Sequence, residues 1–461
     1  MTRETPLSDA SLLTLRQVRR MLEGVIPPAM CSVSSDGVPH VAYLSQAEYV
    51  DDEHIALSFQ FFNRSRRNVL ATRRAALSVE DPYTGGAVMM QLDYLRTDTA
   101  GPVFERLRAK LAGIASQTGM EKVFKLQGAD VYRVREVRRV AGRRELPAAE
   151  PRCDVAAGGR AITERIARCT ELDDLVDGVM AGVRDELRIG HAMLLLVDRE
   201  QGVFHMMASM GYPVSGVGAE LPLAHGLAGV AVREGVALRV GHMTTMTLYG
   251  RAARERTEAL GLHGVLDDEI PLPGLARPRS QLAVPLRAAG QTLGVLLVES
   301  EQDQFFSYDD EDALTMVACH LASAMLLLRG GAQIGTEAPA AAGRPGVGST
   351  PQGSALRVRR HMRDHSVWFD DDYVIKGVAG AILWKLLDDW RRSQRTEFSN
   401  RELRQASGLG LPEVQDNLEV RLLLLQRRLD ERGGPVRIVK EGRGRWRLEV
   451  HRPVVLQSVE A

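Results

Sequence analysis

Two apolar runs set at hairpin distance constrain this chain more than any other feature. Ser280-Gln-Leu-Ala-Val-Pro-Leu286 is followed by Gly290-Gln-Thr-Leu-Gly-Val-Leu-Leu-Val-Glu-Ser300. Val/Leu-rich segments that are apolar at nearly every position read as strands covered on both faces, and Ala288-Ala-Gly-Gln291 supplies a glycine-containing turn between them. Beyond Phe306, residues Leu314, Val317, Ala318, Leu321 and Ala322 recur at the spacing of one helix face. An amphipathic helix therefore closes the segment by packing on the hairpin.

At 461 residues the chain exceeds a single core, and its length implies about three domains of ~150 residues each. The 59 Lys and Arg balance 59 Asp and Glu, so any affinity for nucleic acid must come from a local basic site. Four cysteines, Cys31, Cys153, Cys169 and Cys319, form no CxxC pair, which argues against both a zinc site and a disulfide scaffold. Cys169 and Cys319 fall in helical patterns and are expected as buried apolar residues. Met1-Thr-Arg-Glu-Thr lacks a signal pattern, and no apolar run reaches the ~18 residues of a membrane span. A cytoplasmic protein with no membrane partner is expected.

The stretch from Ala338 to Ser354 consists of small residues and helix breakers, a composition that buries too little apolar surface to order itself. It reads as a flexible linker, 331–354. Two prolines between Arg144 and Arg152 mark a weaker break. The expected modules are 15–145, 155–330 and 355–450, the last moving independently on its tether.

The hairpin and helix of the middle module, with Ala224-His-Gly-Leu-Ala-Gly-Val-Ala-Val232 ahead of them, resemble a GAF domain. That family implies an α/β sensor, an antiparallel sheet flanked by helices, that binds a small molecule; the residues leave the ligand open. Phe306, Asp310 and Glu311 match half of a cyclic-nucleotide motif, but acids here also suit a helix start. Met206, Met207, Met210, Met243 and Met246, with His205, His225 and His242, read either as an oxidisable or haem pocket or as core methionines and surface histidines.

In the first module, helical spacing through Leu15, Val18, Met21 and Leu22 leads to hairpins at Ser35-Asp-Gly37 and Asp51-Asp-Glu53. The strand ending at Phe62 then gives way to Asn63-Arg-Ser-Arg-Arg-Asn68. A hydroxyl and two guanidinium groups beside the free N–H groups of a helix start are phosphate-binding chemistry; the same run also reads as a solvated surface cluster. With Thr72-Arg-Arg-Ala-Ala-Leu77 after it, this segment resembles the pyridoxamine-phosphate-oxidase-like split β-barrels. The resemblance implies an FMN site in which Ser65, Arg66 and Arg67 grip the phosphate and Asn63 lies close by.

In the last module, amphipathic segments at 373–387, 396–403 and 418–429 precede Val436-Arg-Ile-Val-Lys-Glu-Gly-Arg-Gly-Arg-Trp-Arg-Leu-Glu-Val450, two strands around a Gly-Arg-Gly turn. Ser399 and Glu402 have capping-box spacing. Three helices and a basic hairpin outline a winged helix-turn-helix, and residues 418–429 with Gly442-Arg-Gly-Arg-Trp-Arg-Leu448 resemble the OmpR-type winged-helix domain. The resemblance implies DNA as partner, with Gln415, Asn417 and Arg421 toward bases or phosphates and Arg427, Arg428, Arg443 and Arg445 on the backbone.

The fold class is thus multidomain α+β: split barrel, GAF domain, winged helix. No P-loop, HExxH or nucleophile elbow occurs, so no catalytic or metal-binding residues are assigned, and the only chemistry on offer is that of a flavin. The expected function is a one-component transcriptional regulator, a homodimer that senses a small molecule or redox state. The alternatives are an FMN-dependent oxidoreductase with regulatory domains and a protein-interaction scaffold.

Overall fold

The computed structural model describes residues 12–23, 26–59, 64–81, 84–117, 126–142, 145–147, 151–223, 226–241, 274–334, 354–406, 418–442 and 444–459. Most of the expected linker, 335–353, lies outside them.

The N-terminal module contains β1 (Leu12–Leu13), α1 (Leu15–Val18), β2 (Ala29–Val33), β3 (Pro39–Tyr43), β4 (Ala47–Tyr49), β5 (His54–Phe59), α2 (Arg64–Thr72), β6 (Arg74–Glu80), β7 (Ala87–Asp98), α3 (Pro102–Gln117) and β8 (Gly128–Arg139). Both expected hairpins form, the first turning through Gly37 at φ +85°. The strands build one antiparallel sheet in the order β3-β2-β6-β7-β8-β5-β4, with β1 beside β8. Strand alternation sends Met30, Leu77, Met90 and Val137 into a buried cluster with Leu15, Val18 and Leu22. The helical spacing read in the sequence thus places those last three residues in the core.

The central module contains α4 (Val155–Arg168), α5 (Leu172–Asp185), β9 (His191–Asp198), β10 (Val203–Met210), β11 (Glu220–Pro222), α6 (Gly226–Glu234), β12 (Leu238–Val240), β13 (Ser280–Ala288), β14 (Gln291–Ser300) and α7 (Tyr308–Ile334). The β13-β14 hairpin turns at Ala289 and Gly290, φ +49° and +75°, the positive pair that a tight two-residue loop requires. The antiparallel order is β11-β10-β9-β14-β13-β12. One face of the sheet packs with the helix residues Ile162, Val176, Leu314 and Leu321, and the other with Leu227 and Ala231 of α6. Helix α7 runs past residue 330 to Ile334. Its segment Tyr308–Leu328 is the one helix among the described residues long and apolar enough, by length and composition, to cross a membrane; here it is the helix that covers the sheet. Cys169 and Cys319 are half-buried rather than buried, because Cys169 ends α4 as its C-cap.

The C-terminal module contains β15 (Leu356–His361), β16 (Val367–Phe369), β17 (Asp372–Ile375), α8 (Gly377–Ser393), β18 (Glu397–Ser399), α9 (Asn400–Gln405), α10 (Leu418–Arg432), β19 (Val436–Gly442), β20 (Arg445–Val450) and β21 (Val454–Val459). The capping box of Ser399 and Glu402 starts α9 as read from the sequence. Two sheets form, β17-β16-β15-β21 and β18-β20-β19. Strand β21 lies beyond the expected boundary at 450 and pairs in parallel with β15, joining Leu356 to Val454 and His361 to Val459.

The modules do not stand apart. Lys110 of α3 donates to Glu48 of β4 and to the Tyr308 hydroxyl of α7 at 3.2 Å, and all three are buried. The guanidinium of Arg239, from β12, lies 4.2 Å from the Tyr308 ring centroid. Arg19 reaches Asp309 and Asp312. On the other side, the buried apolar residues of the central and C-terminal modules form one continuous cluster. The tether was expected to let the last module move freely; the structure docks that module instead.

Burial alone would favour a neutral Lys110 amine, but the Glu48 carboxylate outweighs it and raises the Lys110 pKa. Lys110→Met should therefore strand Glu48 and cost about 3–5 kcal/mol, read as a lower urea midpoint of the full chain. The double variant with Glu48→Gln should recover most of that loss.

Candidate functional site

Three regions carry the chemistry. In the first, the strand-to-helix step delivers Ser65 and Arg66 into the first turn of α2, as the sequence predicts. Ser65 is buried and its Oγ has no hydrogen-bond partner, while Arg67 is exposed. Arg66 turns inward. Its Nη1 donates to both Asp130 oxygens at 2.6 Å, Nη2 reaches Thr97 Oγ1 at 3.2 Å, and the guanidinium lies 3.6 Å from the Phe59 ring centroid. A carboxylate on β8 thus holds the Arg66 fork in this structure. Ser65 and Arg67 fit a phosphate at this helix start; Arg66 ties the helix to the sheet. Asn63 lies outside the described residues.

The second region is the α6 face of the central sheet. Met193, Leu195, Phe204, Met206, Leu227, Leu238, Val240, Ala283 and Val295 form an apolar cluster there. At its end Glu299 is buried and accepts from Tyr212 Oη at 2.9 Å, from Gln281 Nε2 and from the Leu275 N–H at 3.0 Å. Burial, then the Glu299 charge, pushes the Tyr212 hydroxyl pKa far up, which keeps that group a donor. Strand pairing sets Gln281 opposite Glu299 and Glu299 opposite His191, whose ring lies 5.3 Å from that of Tyr212. Sequence reasoning missed this group. Its one visible signal was Glu299, the single acid inside an otherwise apolar strand.

Met206 and Met207 are buried on opposite faces of the sheet, which fits core filling. His205 faces Asp198 at 3.3 Å and Glu220 at 3.7 Å. His225, His242, Met243 and Met246 lie outside the described residues, and among those described no His/Cys/Asp/Glu group could hold a metal ion.

The third region is α10 and the β19-β20 hairpin. Gln415, Asn417 and Arg443 lie outside the described residues. Arg421 donates to Asp198 Oδ2 at 2.9 Å. Arg427 pairs with Asp173 and, at 2.8 Å, with Asp177. Lys440 reaches Glu171 and Glu419, each at 2.5 Å. Arg428 donates to the Val374 carbonyl at 3.0 Å, and burial beside Arg432 lowers its pKa. Arg445 is exposed at the start of β20. The structure thus gathers Arg421, Arg427 and Lys440 against the acids of α5 and of the β9 end.

Burial would raise the Asp198 pKa, but the His205 and Gln201 hydrogen bonds and the Arg421 charge outweigh it and hold the group at about 2, below its ordinary 3.8. A lowered folded-state value means that this contact stabilises fully above about pH 4 and loses its contribution as pH falls through about 2. Amide exchange in α10 should therefore accelerate across that window, and Asp198→Asn should remove the Asp198 share of the pH dependence.

A family model described as GAF domain matches residues 169–326. Among solved structures, the GAF domain from an Acinetobacter phosphoenolpyruvate-protein phosphotransferase is 23% identical, covers 40% of this chain and 96% of that one, and has a TM-score of 0.30. Free methionine-R-sulfoxide reductase from Neisseria meningitidis, solved with its substrate, is 19% identical, with coverages of 40% and 97% and a TM-score of 0.30. An FMN-binding protein from Syntrophomonas wolfei subsp. wolfei is 17% identical, with coverages of 28% and 88% and a TM-score of 0.24. No curated protein matches the chain. The matched segment carries the six-stranded antiparallel sheet, the covering helix α7 and the apolar cluster under α6, and it is a GAF domain.

Proposed function

We propose that this protein is a cytoplasmic one-component sensory regulator, in which the GAF domain senses a small molecule and the C-terminal module acts on DNA. The order of elements in that module carries the reading. Helix α8, strand β18, helices α9 and α10 and the β19-β20 hairpin follow one another, and β18 completes a three-stranded sheet with the hairpin. This order supports a winged helix-turn-helix reading, with α10 as the recognition helix and the β19-β20 hairpin as the wing. Arg421, Arg427, Arg428 and Arg445 then supply forks suited to phosphate or guanine. A homodimer would match a two-fold DNA site.

A second reading concerns the N-terminal module. The buried, unpartnered Ser65 Oγ and the exposed Arg67 beside a helix start support FMN there, held by its phosphate. The flavin would bring redox chemistry, and the chain's own residues would hold and orient it. This reading leaves open an FMN-dependent oxidoreductase; a protein scaffold is the remaining alternative.

Binding of full-length protein to duplex DNA should weaken with salt, because each neutralised phosphate releases counterions. Arg445→Ala should lower affinity about equally on all sequences and flatten the salt slope by roughly one unit. Absence of salt-dependent retention of duplex DNA would leave the scaffold ahead. For the flavin, FMN fluorescence should be quenched on titration with protein and less so with Arg67→Ala; unchanged fluorescence rejects it.

A further inference from the structure

Helix α10 presents an unusual surface for a nucleic-acid reader. From Leu418 to Leu429 none of its residues is exposed; Asp430 and Glu431 are the first that are. Its own module covers part of it, through Arg428 on the Val374 carbonyl and Arg432 on the Tyr373 carbonyl. The GAF domain covers another part with carboxylates, Asp198 at the end of β9 and Asp173 and Asp177 on α5, while Glu171 at the start of α5 pairs with Lys440 of the neighbouring strand β19. Ser215 adds a 2.6 Å hydrogen bond to Glu431, and Lys376 an ion pair to Glu220.

A carboxylate and a phosphate offer a guanidinium the same two-oxygen acceptor. Arg421 and Arg427, two cations assigned to DNA, are about nine-tenths shielded in these pairs, with side-chain exposures of 11% and 14%. They cannot hold Asp198 and Asp173 and a phosphate backbone at once. We infer that the acidic face of the GAF domain is an intramolecular competitor for nucleic acid, holding α10 in a closed state that must open before duplex binds. The inference rests on the DNA reading above and adds what opposes that binding. The fold also offers a route from sensor to lock, since β9 carries Met193 and Leu195 in the apolar cluster and Asp198 at the Arg421 contact.

The test uses full-length protein and a fluorescently labelled random-sequence duplex at low salt, read by anisotropy. Asp173→Asn/Asp177→Asn/Asp198→Asn should bind at least tenfold more tightly than wild type. A charge-matched control, Asp36→Asn/Asp185→Asn/Glu301→Gln, removes three acids away from the contact and should gain less than about threefold by general electrostatics. Ser215→Glu gives a sharper discrimination. It sets a second acid against Glu431 and loosens the contact, so affinity should rise at least threefold even though the protein becomes more acidic. Hydrogen exchange of α10 without DNA should accelerate in both contact variants. Measurable wild-type binding that neither contact variant strengthens beyond the control overturns the inference and leaves the DNA reading standing. No binding by any variant overturns the DNA reading and the inference with it.

Discussion

The first turn of α7 is the joint on which the architecture depends. Asp309, Asp310 and Glu311 sit at the positive end of the helix dipole, and each reaches a different part of the chain. Asp309, with Asp312, meets Arg19 from the N-terminal module. Asp310 takes Arg152 from the segment leading into α4 and caps the turn through Ser307. Glu311 takes Arg239 from β12. Between them Tyr308 accepts from Lys110 and from the Tyr49 N–H at 3.3 Å. Asp309 and Asp312 stay largely in water, but Lys110, Glu48, Asp310 and Arg239 are buried, and there a lone charge is far costlier than the pair. This cluster ties the N-terminal module to the GAF domain.

The second junction is of another kind. Arg421, Arg427 and Lys440 meet acids at the rim of the GAF domain, where Asp173 and Asp177 remain partly in water. The pairs to Asp173 and Asp177, whose carboxylates stay partly in water, are screened by salt, whereas Arg421–Asp198 is shielded on both sides. The second junction therefore combines a continuous apolar core with a rim of ion pairs.

How much of this was legible follows from the range over which each signal acts. The β13-β14 hairpin, the Gly37 turn and the Ser399–Glu402 cap are local, set by residues a few positions apart, and the sequence carries each plainly. The same holds for Ser65 and Arg66 at the start of α2. What the sequence hid is partner choice. Nothing near Arg66 announces Asp130, and nothing near Arg421 announces Asp198, more than two hundred residues earlier. Strand β21 escaped because Val454-Val-Leu-Gln-Ser-Val459 lies alone after the hairpin, and its parallel partner is almost a hundred residues upstream. The Glu299 group escaped because one acid in an apolar strand gains meaning only when Tyr212, Gln281 and the Leu275 N–H converge on it.

Those partner choices alter the meaning of the charge balance. A chain with 59 basic and 59 acidic side chains carries no net pull toward a polyanion, yet neutrality of the whole says nothing about where the charges meet. Here a share of the cancellation occurs between modules, the cations of α10 and β19 against the acids of α5 and β9. Such cancellation acts at contact distance. At physiological salt, fields beyond about 8 Å are largely screened, so a separated C-terminal module would present its arginines without the acids that offset them here. Net neutrality in this chain is a property of its composition, whereas the local cancellation of the α10 and β19 cations is a property of the contact between the modules.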